Sequence, residues 1–144
     1  MRILFYVGYQ SETLDSTVNT GGGTEIAIIN IAKEMVKFGY EVIISGMVKD
    51  LGKIDGVIWM STENVHKKYY NNIDIIVAAS YIHFIPEFKE YNAKKIFWAH
   101  NTHPHIWWNG IELENTNDLL NQPDVTVCLT GWHADQWSKQ YNID

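Results

Sequence analysis

Short apolar runs of strand length recur along this chain, each separated from the next by a longer polar or amphipathic stretch. Residues 3–7, 73–79, 95–99 and 125–129 form such runs, and Glu41–Ser45 forms another. A continuous apolar run with few charges is typical of a strand that is buried on both faces of a parallel sheet. Because parallel strands need crossover connections, the pattern predicts an α/β fold: an open parallel sheet with helices on both faces.

The stretches between these runs carry helix signals. Residues 25–38 have apolar side chains at helical spacing, with Thr24 as the predicted N-cap and Gly39 as the predicted stop. Other segments have weaker patterns. They predict a strand over 56–60 and helices over 62–70, 81–91, 107–120 and Gly131–Tyr141, the last capped by Thr130.

Length and composition narrow the class of protein. The 144 residues are the size of one domain, and 46% hydrophobic with 19% charged residues excludes general disorder. The net charge of -6, without an extended run of Lys or Arg, argues against a nucleic-acid partner. Without a targeting segment or a membrane-length apolar stretch, we expect a cytoplasmic protein with no membrane contact. The single cysteine, Cys128, cannot form an internal disulfide and is expected to be a small buried hydrophobe.

Ligands of open α/β sheets bind outside the carboxyl ends of the strands, where residues 8–23, 100–108 and 130–131 are expected to lie. The glycines at 21–23 open a helix, so their N–H groups could face an anion. No lysine follows them, as a phosphate-binding P-loop requires, and no Gly-x-Gly-x-x-Gly fingerprint follows the first strand directly. The remaining interpretations are a loop that lets another group approach closely and a flexible loop that ends in a helix cap.

His100 directly follows a predicted buried strand and is therefore expected at this ligand edge. It could contact a ligand, or it could be a strand-end histidine with a backbone hydrogen bond. Zinc binding with His103 and His105 is a third possibility, but the His-x-x-His-x-His spacing matches no standard site. No Asp-x-Asp occurs, so we expect no metal.

A resemblance to a known family begins at residues 22–25, Gly-Gly-Thr-Glu, which open the first predicted helix. This segment resembles the Gly-Gly-x-Glu helix of retaining glycosyltransferases with the GT-B fold, above all the glycosyltransferase 4 family. Residues 39–42, Gly-Tyr-Glu-Val, are similar to the start of the second strand in that family. Residues 127–133 are similar to a late strand and its following turn, so the resemblance spans nearly the whole chain.

The resemblance implies one half of a GT-B architecture. In that family two Rossmann-like domains face each other across a cleft, the first binding mainly the acceptor and the second mainly the nucleotide-sugar donor. Residues 1–144 match only the first, so we expect a single N-terminal domain, with the donor-binding C-terminal domain absent from this chain. The implied partners are that second domain, a nucleotide-sugar donor, and a sugar or glycan acceptor. No cofactor is implied, and the chain alone is expected to be inactive.

The resemblance also implies roles for individual residues. His100 resembles the family's histidine that hydrogen-bonds the donor sugar, and we therefore predict it to be catalytic. Gly22, Gly23, Asn101 and Trp107 are predicted to bind substrate, Trp107 because aromatic faces stack on sugar rings. For Trp107 and its neighbour, packing under the next helix is the alternative.

Other polar and aromatic residues are less specific. Glu12 and Asp15 lie in the glycine loop and could act as an acceptor-side base, although we favour simple solvation of the loop. The remaining tryptophans are predicted to pack in the core, namely Trp59, Trp98, Trp132 and Trp137.

A different class of protein remains as the alternative: a non-catalytic Rossmann-like module that binds a small molecule or regulates a partner. A phosphorylated receiver domain, which has the same type of sheet, needs paired acids after its first strand and a lysine after its fifth. Residues 7–10 and 99–101 supply neither. A small-molecule-binding regulator is not excluded by these positions.

Overall fold

The computed structural model describes residues 1–8, 14–16, 22–49, 51–104, 107–108, 111–112 and 115–143. The strands are β1 (Arg2–Tyr6), β2 (Glu41–Ser45), β3 (Gly52–Ile54), β4 (Val57–Met60), β5 (Ile75–Ala79), β6 (Lys94–Ala99), β7 (Trp107–Trp108), β8 (Ile111–Glu112) and β9 (Val125–Cys128). The helices are α1 (Gly23–Lys37), α2 (Thr62–Tyr69), α3 (Phe84–Glu87), α4 (Thr116–Leu120) and α5 (Gly131–Tyr141).

Seven strands form one sheet in the order β3-β4-β2-β1-β5-β6-β9. All neighbouring pairs are parallel except β3 with β4. β1 lies in the interior between β2 and β5, and its residues are nearly all apolar because both of its faces are covered. The predicted α/β class and the mostly parallel sheet are confirmed.

Successive side chains of β1 point to opposite faces of the sheet. Ile3 and Phe5 pack in one hydrophobic cluster with residues of α1, and we call this side the α1 face. Leu4 and Tyr6 pack in a second cluster with residues of α2, α3, α4 and α5. The prediction of helices on both faces is therefore also confirmed.

The predicted caps of the two long helices have different outcomes. Thr130 caps α5 as predicted, since its Oγ1 accepts a hydrogen bond from the His133 N–H at 3.1 Å. The prediction of Thr24 as the α1 cap is wrong, because Gly22 is the N-cap residue and makes no side-chain cap. The predicted stop at Gly39 is confirmed: this glycine has φ +84°, a left-handed conformation that ends a helix.

The predicted helix over 107–120 is wrong. The structure has the antiparallel pair β7–β8 and then the short helix α4. Two adjacent tryptophans and an isoleucine favour a strand over a helix, which explains the β7–β8 pair. The late start of α4 is explained by Asn115, which precedes this helix with φ +58°, a left-handed conformation that interrupts a helix.

Two further elements differ from their predictions. The helix predicted over 81–91 is confined to α3, with Pro86 in its first turn. Strand β3 was not predicted, although the sequence carries its signal. Asp55 and Gly56 both have positive φ, +50° and +81°, and form the two-residue turn between β3 and β4. An Asp-Gly pair is a strong hairpin signal because its residues adopt this conformation readily.

Cys128 is a half-buried free thiol that packs against the core, and burial raises its pKa. Among the described helices, none has the length and apolar character needed to cross a bilayer.

Candidate functional site

The carboxyl ends of β1, β5, β6 and β9 lie at one edge of the sheet because these strands are parallel. We call this the carboxyl edge. Gly8, Ser80, His100 and Leu129 lie at or just beyond these strand ends. The N-termini of α1 and α5 are at the same edge, since each helix connects to the sheet there.

The Glu25 carboxylate interacts electrostatically with two other titratable side chains at this edge. Glu25 lies in the first turn of α1 and is only 8% exposed. Burial, together with the Glu25 charge, raises the pKa of Tyr81 to about 12. The negative charge of the same carboxylate favours the protonated form of His100. We call these residues the Glu25–Tyr81–His100 cluster.

Gly8 makes room for this cluster at the end of β1. A Cβ atom at Gly8 would lie 2.5 Å from two carbons of the Tyr81 ring. Gly8 also has φ +68°, which favours glycine. The sequence therefore needs a glycine here for two independent reasons, and the Tyr81 ring can pack directly against the β1 backbone.

His100 is part of the wall of the carboxyl edge. Its ring centroid lies 4.1 Å from that of Trp98 in an edge-to-face arrangement. Its Nε2 atom is buried and has no hydrogen-bond partner among the described residues. Burial lowers the pKa of His100, with a smaller contribution from His133, and the Glu25 charge opposes this shift. The side chain is therefore a neutral imidazole at pH 7, able to donate through one nitrogen and accept through the other.

A cleft of about 300 Å³ opens beside His100. Its wall includes Leu129, Trp132 and His133. Trp132 is 64% exposed, so the prediction that it packs in the core is wrong; position 132 is on the outer side of the first turn of α5. Its indole face is available for stacking. Core packing is confirmed for Trp59 and Trp137, whereas Trp98 is half-buried against the α1-face cluster.

The segment after His100 is held in place through the backbone of Asn101. The Asn101 carbonyl accepts hydrogen bonds from His133 Nε2 and Trp137 Nε1, both at 2.9 Å. Its side-chain amide donates to Ser80 Oγ at 3.4 Å. Ser80 itself has φ +66°, an uncommon conformation outside glycine that is held by its N–H bond to the Trp98 carbonyl. Asn101 therefore links β5 and α5 at the carboxyl edge, and its predicted contact with substrate stays a prediction.

His133 was not identified from the sequence, and it has a defined tautomer. Its Nδ1 accepts from the Leu129 N–H at 3.3 Å, while Nε2 donates to the Asn101 carbonyl. The proton is thus on Nε2, and the ring connects the turn after β9 to the segment after β6. Glu25 was recognised only as the last residue of the Gly-Gly-Thr-Glu segment and was assigned no role of its own. The Gly-Gly-x-Glu spacing could have indicated its place at the carboxyl edge.

Gly22 and Gly23 lie at the N-terminus of α1 with different surroundings. A Cβ at Gly22 would lie 2.9 Å from Glu25 Oε2. A Cβ at Gly23, the first helical residue, would meet no atom of the described residues within 4 Å. Neither glycine has a positive φ among those recorded, so backbone conformation does not require them.

Other predicted residues lie apart from the cluster or outside the described part of the chain. His103 Nδ1 lies 3.0 Å from both Tyr141 Oη and Gln140 Nε2, on α5. Asp15 pairs with Lys49 at 3.7 Å. Trp107 pairs with Glu112 in the β7–β8 hairpin, but its side chain lies outside the described residues, as do Glu12 and His105.

No group of three His, Cys, Asp or Glu side chains suited to a metal occurs in the described part of the chain. The expectation of no metal stays a prediction, since the described residues do not include His105. Comparisons with models of protein families, with curated proteins and with solved structures found no match to this chain.

Proposed function

We propose that this chain is the N-terminal, acceptor-side Rossmann-like domain of a GT-B retaining glycosyltransferase. Such an enzyme moves a sugar from a nucleotide-sugar donor to a sugar or glycan acceptor. The observation that carries the proposal is the convergence of two distant sequence motifs. The Gly-Gly-Thr-Glu helix start and the histidine after β6 meet at the carboxyl edge, where the Glu25 carboxylate acts on the His100 imidazole.

The chemistry of this edge suits a sugar ligand. His100 is a neutral imidazole whose Nε2 has no partner within the described structure. A buried polar atom without a partner costs free energy, and a sugar hydroxyl would supply that partner. Retaining transfer needs stabilisation of positive charge at the anomeric carbon and of a departing diphosphate, with no obligatory protein nucleophile. We assign His100 the role of orienting a donor-sugar hydroxyl.

Two surfaces beside His100 support the same assignment. The exposed indole of Trp132 lines the adjacent cleft, and an aromatic face can stack on a sugar ring. No described atom would contact a Cβ at Gly23, which leaves room within the described structure for a ligand to approach the N-terminus of α1. We assign Gly22, Gly23, Asn101 and Trp107 to substrate binding as part of this proposal, with no metal or other cofactor.

The proposed division of labour leaves this chain inactive by itself. Donor binding is assigned to a C-terminal GT-B domain, which is its proposed partner. Isothermal titration of residues 1–144 with nucleotide-sugars tests this assignment, and we expect at most weak binding. Binding with a micromolar dissociation constant would overturn it.

The ligand assignment has a second test in NMR spectra of the same chain. Sugars added at high concentration should shift the Trp132 indole and His100 ring signals, and the Trp132→Ala variant should lose the response at His100. Lys139→Gln, on the exposed side of α5, is the matched control and should respond as the wild-type chain does. A response to nucleotides without sugars would instead favour the non-catalytic binding module.

A further inference from the structure

A second concavity lies on the other side of β1 from His100, between β3, β4 and α2. Its volume is about 660 Å³, more than twice that of the cleft at His100. This is within the ~300–1,000 Å³ typical of small-molecule sites. We call it the β3–α2 groove. It contains none of the residues assigned to the sugar site.

The floor of the groove is apolar. Ile58 and Met60 alternate along β4 and face α2, where they pack against the core cluster. Lys53 lies directly opposite Ile58 in the β3–β4 register, so its side chain is on the same face. Leu51 is also on the groove wall and is 66% exposed. An exposed leucine beside an apolar floor favours a ligand with a hydrocarbon part.

The rim of the groove is positively charged. Lys53, Lys67 and Lys68 all line it, and among the described residues no carboxylate does. Two carboxylates lie nearby: Glu41 bonds Arg2 at 2.7 Å and its charge also interacts with Lys53 and Lys68, and Glu63 pairs with Lys67. Lys53 forms no ion pair within the described structure, and the Lys68 ammonium lies 5.3 Å from the centre of the Tyr69 ring. A chain of net charge -6 thus presents a local cluster of ammonium groups here.

We propose that the β3–α2 groove binds an anionic amphiphile, with one alkyl chain on the Ile58–Met60 floor and a phosphate monoester head between Lys53 and Lys68. A phosphate dianion suits several converging ammonium groups, since each lysine offers a point charge and three donors. The apolar floor takes the hydrocarbon chain out of water. This site is independent of the proposed sugar transfer, so either can fail without the other.

Two other occupants fit the groove less well. A peptide strand would have to pair with β3, which has only three residues and carries Lys53 at its centre. A lysine on an edge strand disfavours such pairing. A bilayer surface would contact protruding apolar side chains, whereas the apolar residues of β4 form a recessed floor and only Leu51 is strongly exposed.

Isothermal titration with dodecyl phosphate, below its micellar concentration, tests the proposal on residues 1–144. We expect one ligand per chain. The double variant Lys53→Gln/Lys68→Gln should bind about tenfold more weakly or worse, because it removes two charge-assisted contacts. Leu51→Ser should also weaken binding. The double variant Lys89→Gln/Lys139→Gln makes the same change in net charge outside the groove and should bind as the wild type does.

Several outcomes would overturn the proposal. One is that Lys53→Gln/Lys68→Gln and Lys89→Gln/Lys139→Gln bind dodecyl phosphate with equal affinity. Another is equal affinity for inorganic phosphate, which would show that the apolar floor contributes nothing. A third is binding to anionic vesicles without binding to monomeric dodecyl phosphate, which would make the groove a membrane contact. All substituted side chains are exposed, so thermal melting curves like that of the wild type should accompany each result.

Discussion

His100 differs from His66 and His133 in its hydrogen bonding. His133 has both ring nitrogens bonded, and His66 bonds Glu87 and Tyr91 at 2.8 and 2.9 Å. In His100 the buried Nε2 lacks such a partner within the described structure, although the ring lies in the wall of a cleft. Most buried polar atoms in proteins have a hydrogen-bond partner, so a ligand that bonds this nitrogen would remove an unfavourable contribution to the free energy.

The first prediction is that His100→Ala lowers sugar transfer by roughly 10²–10³-fold in an enzyme that contains this domain, the range for loss of one transition-state hydrogen bond. Folding should be retained, because His100 is only partly buried, at the end of a strand, and belongs to neither hydrophobic cluster. Initial rates and thermal melting curves measure the two effects. His103→Ala is the control and should cost much less, since His103 contacts α5. Unchanged transfer in His100→Ala would remove the residue on which the mechanism depends.

The second prediction concerns the response of stability to acid. Burial lowers the pKa of His100 from 6.5, so the unfolded chain takes up this proton at a higher pH than the folded chain does. Stability should therefore fall as the pH drops through 6.5 toward the lower folded pKa. His100→Asn should reduce this loss, and His103→Asn, at an exposed position, should not. Urea unfolding at several pH values from about pH 7.5 to about pH 5 measures how the free energy of unfolding changes with pH. Equal acid sensitivity in His100→Asn and the wild type would contradict the burial of this imidazole.

At the scale of elements, one substitution at the N-terminus of α1 is expected to have different effects on the stability of the fold and on the binding of the sugar ligand. The third prediction is that Gly23→Ala leaves stability unchanged or raises it by up to ~1 kcal/mol, since alanine favours the helix and a Cβ there meets no described atom. Sugar transfer should nevertheless fall, because the methyl group would occupy the space assigned to the ligand. Urea unfolding and initial rates measure the pair of effects. Gly131→Ala, at the start of α5, where a Cβ also meets no described atom, is the matched control. Full activity in Gly23→Ala would remove this glycine from the proposed site.

Elements with strong local signals were predicted closely. β2 and α5 have the predicted bounds, because an apolar run after a helix stop and a threonine cap are encoded within a few residues. The segment 107–120 was not predicted correctly, because its helical spacing competes with the strand preference of its aromatic residues. The turn at Asp55 and Gly56 was predictable but was missed.

The candidate site was predicted only in part. Strand order alone places His100 at the carboxyl edge, as the sequence indicated. The groups that act on His100 come from distant elements, Glu25 from α1 and His133 from α5, and Glu25 also acts on Tyr81 in the segment after β5. Their proximity depends on tertiary packing, and the local periodicity of a sequence does not predict which distant elements pack together. The exposure of Trp132 likewise depends on how α5 is rotated against the sheet.

At the scale of the whole molecule, the two faces of the sheet are covered unequally. Among the described helices, α1 alone packs on its face, against β1, β2 and β4, whereas the other four pack on the opposite face. On the α1 face of β9, Val125 and Val127 are 38% and 40% exposed, and Leu129, just beyond the strand, is 54% exposed. In register beside them, Ile96 and Trp98 of β6 are half-buried. The stabilising apolar contacts therefore concentrate around β1, and β9 contributes fewer.

The last prediction is that both clusters unfold together. Ile44 is fully buried in the α1-face cluster and Phe97 in the opposite one, but both are on strands of a single sheet. Ile44→Ala should cost ~2–5 kcal/mol and Phe97→Ala ~3–5 kcal/mol. Because β1 contributes alternate residues to both clusters, each variant should shift the far-UV and near-UV transitions by the same amount, with coincident curves. Val127→Thr, at an exposed position, is the control and should stay within ~0.5 kcal/mol of the wild type. Two separate transitions, one sensitive only to Ile44→Ala and the other only to Phe97→Ala, would show instead that the two faces of the sheet are stabilised independently.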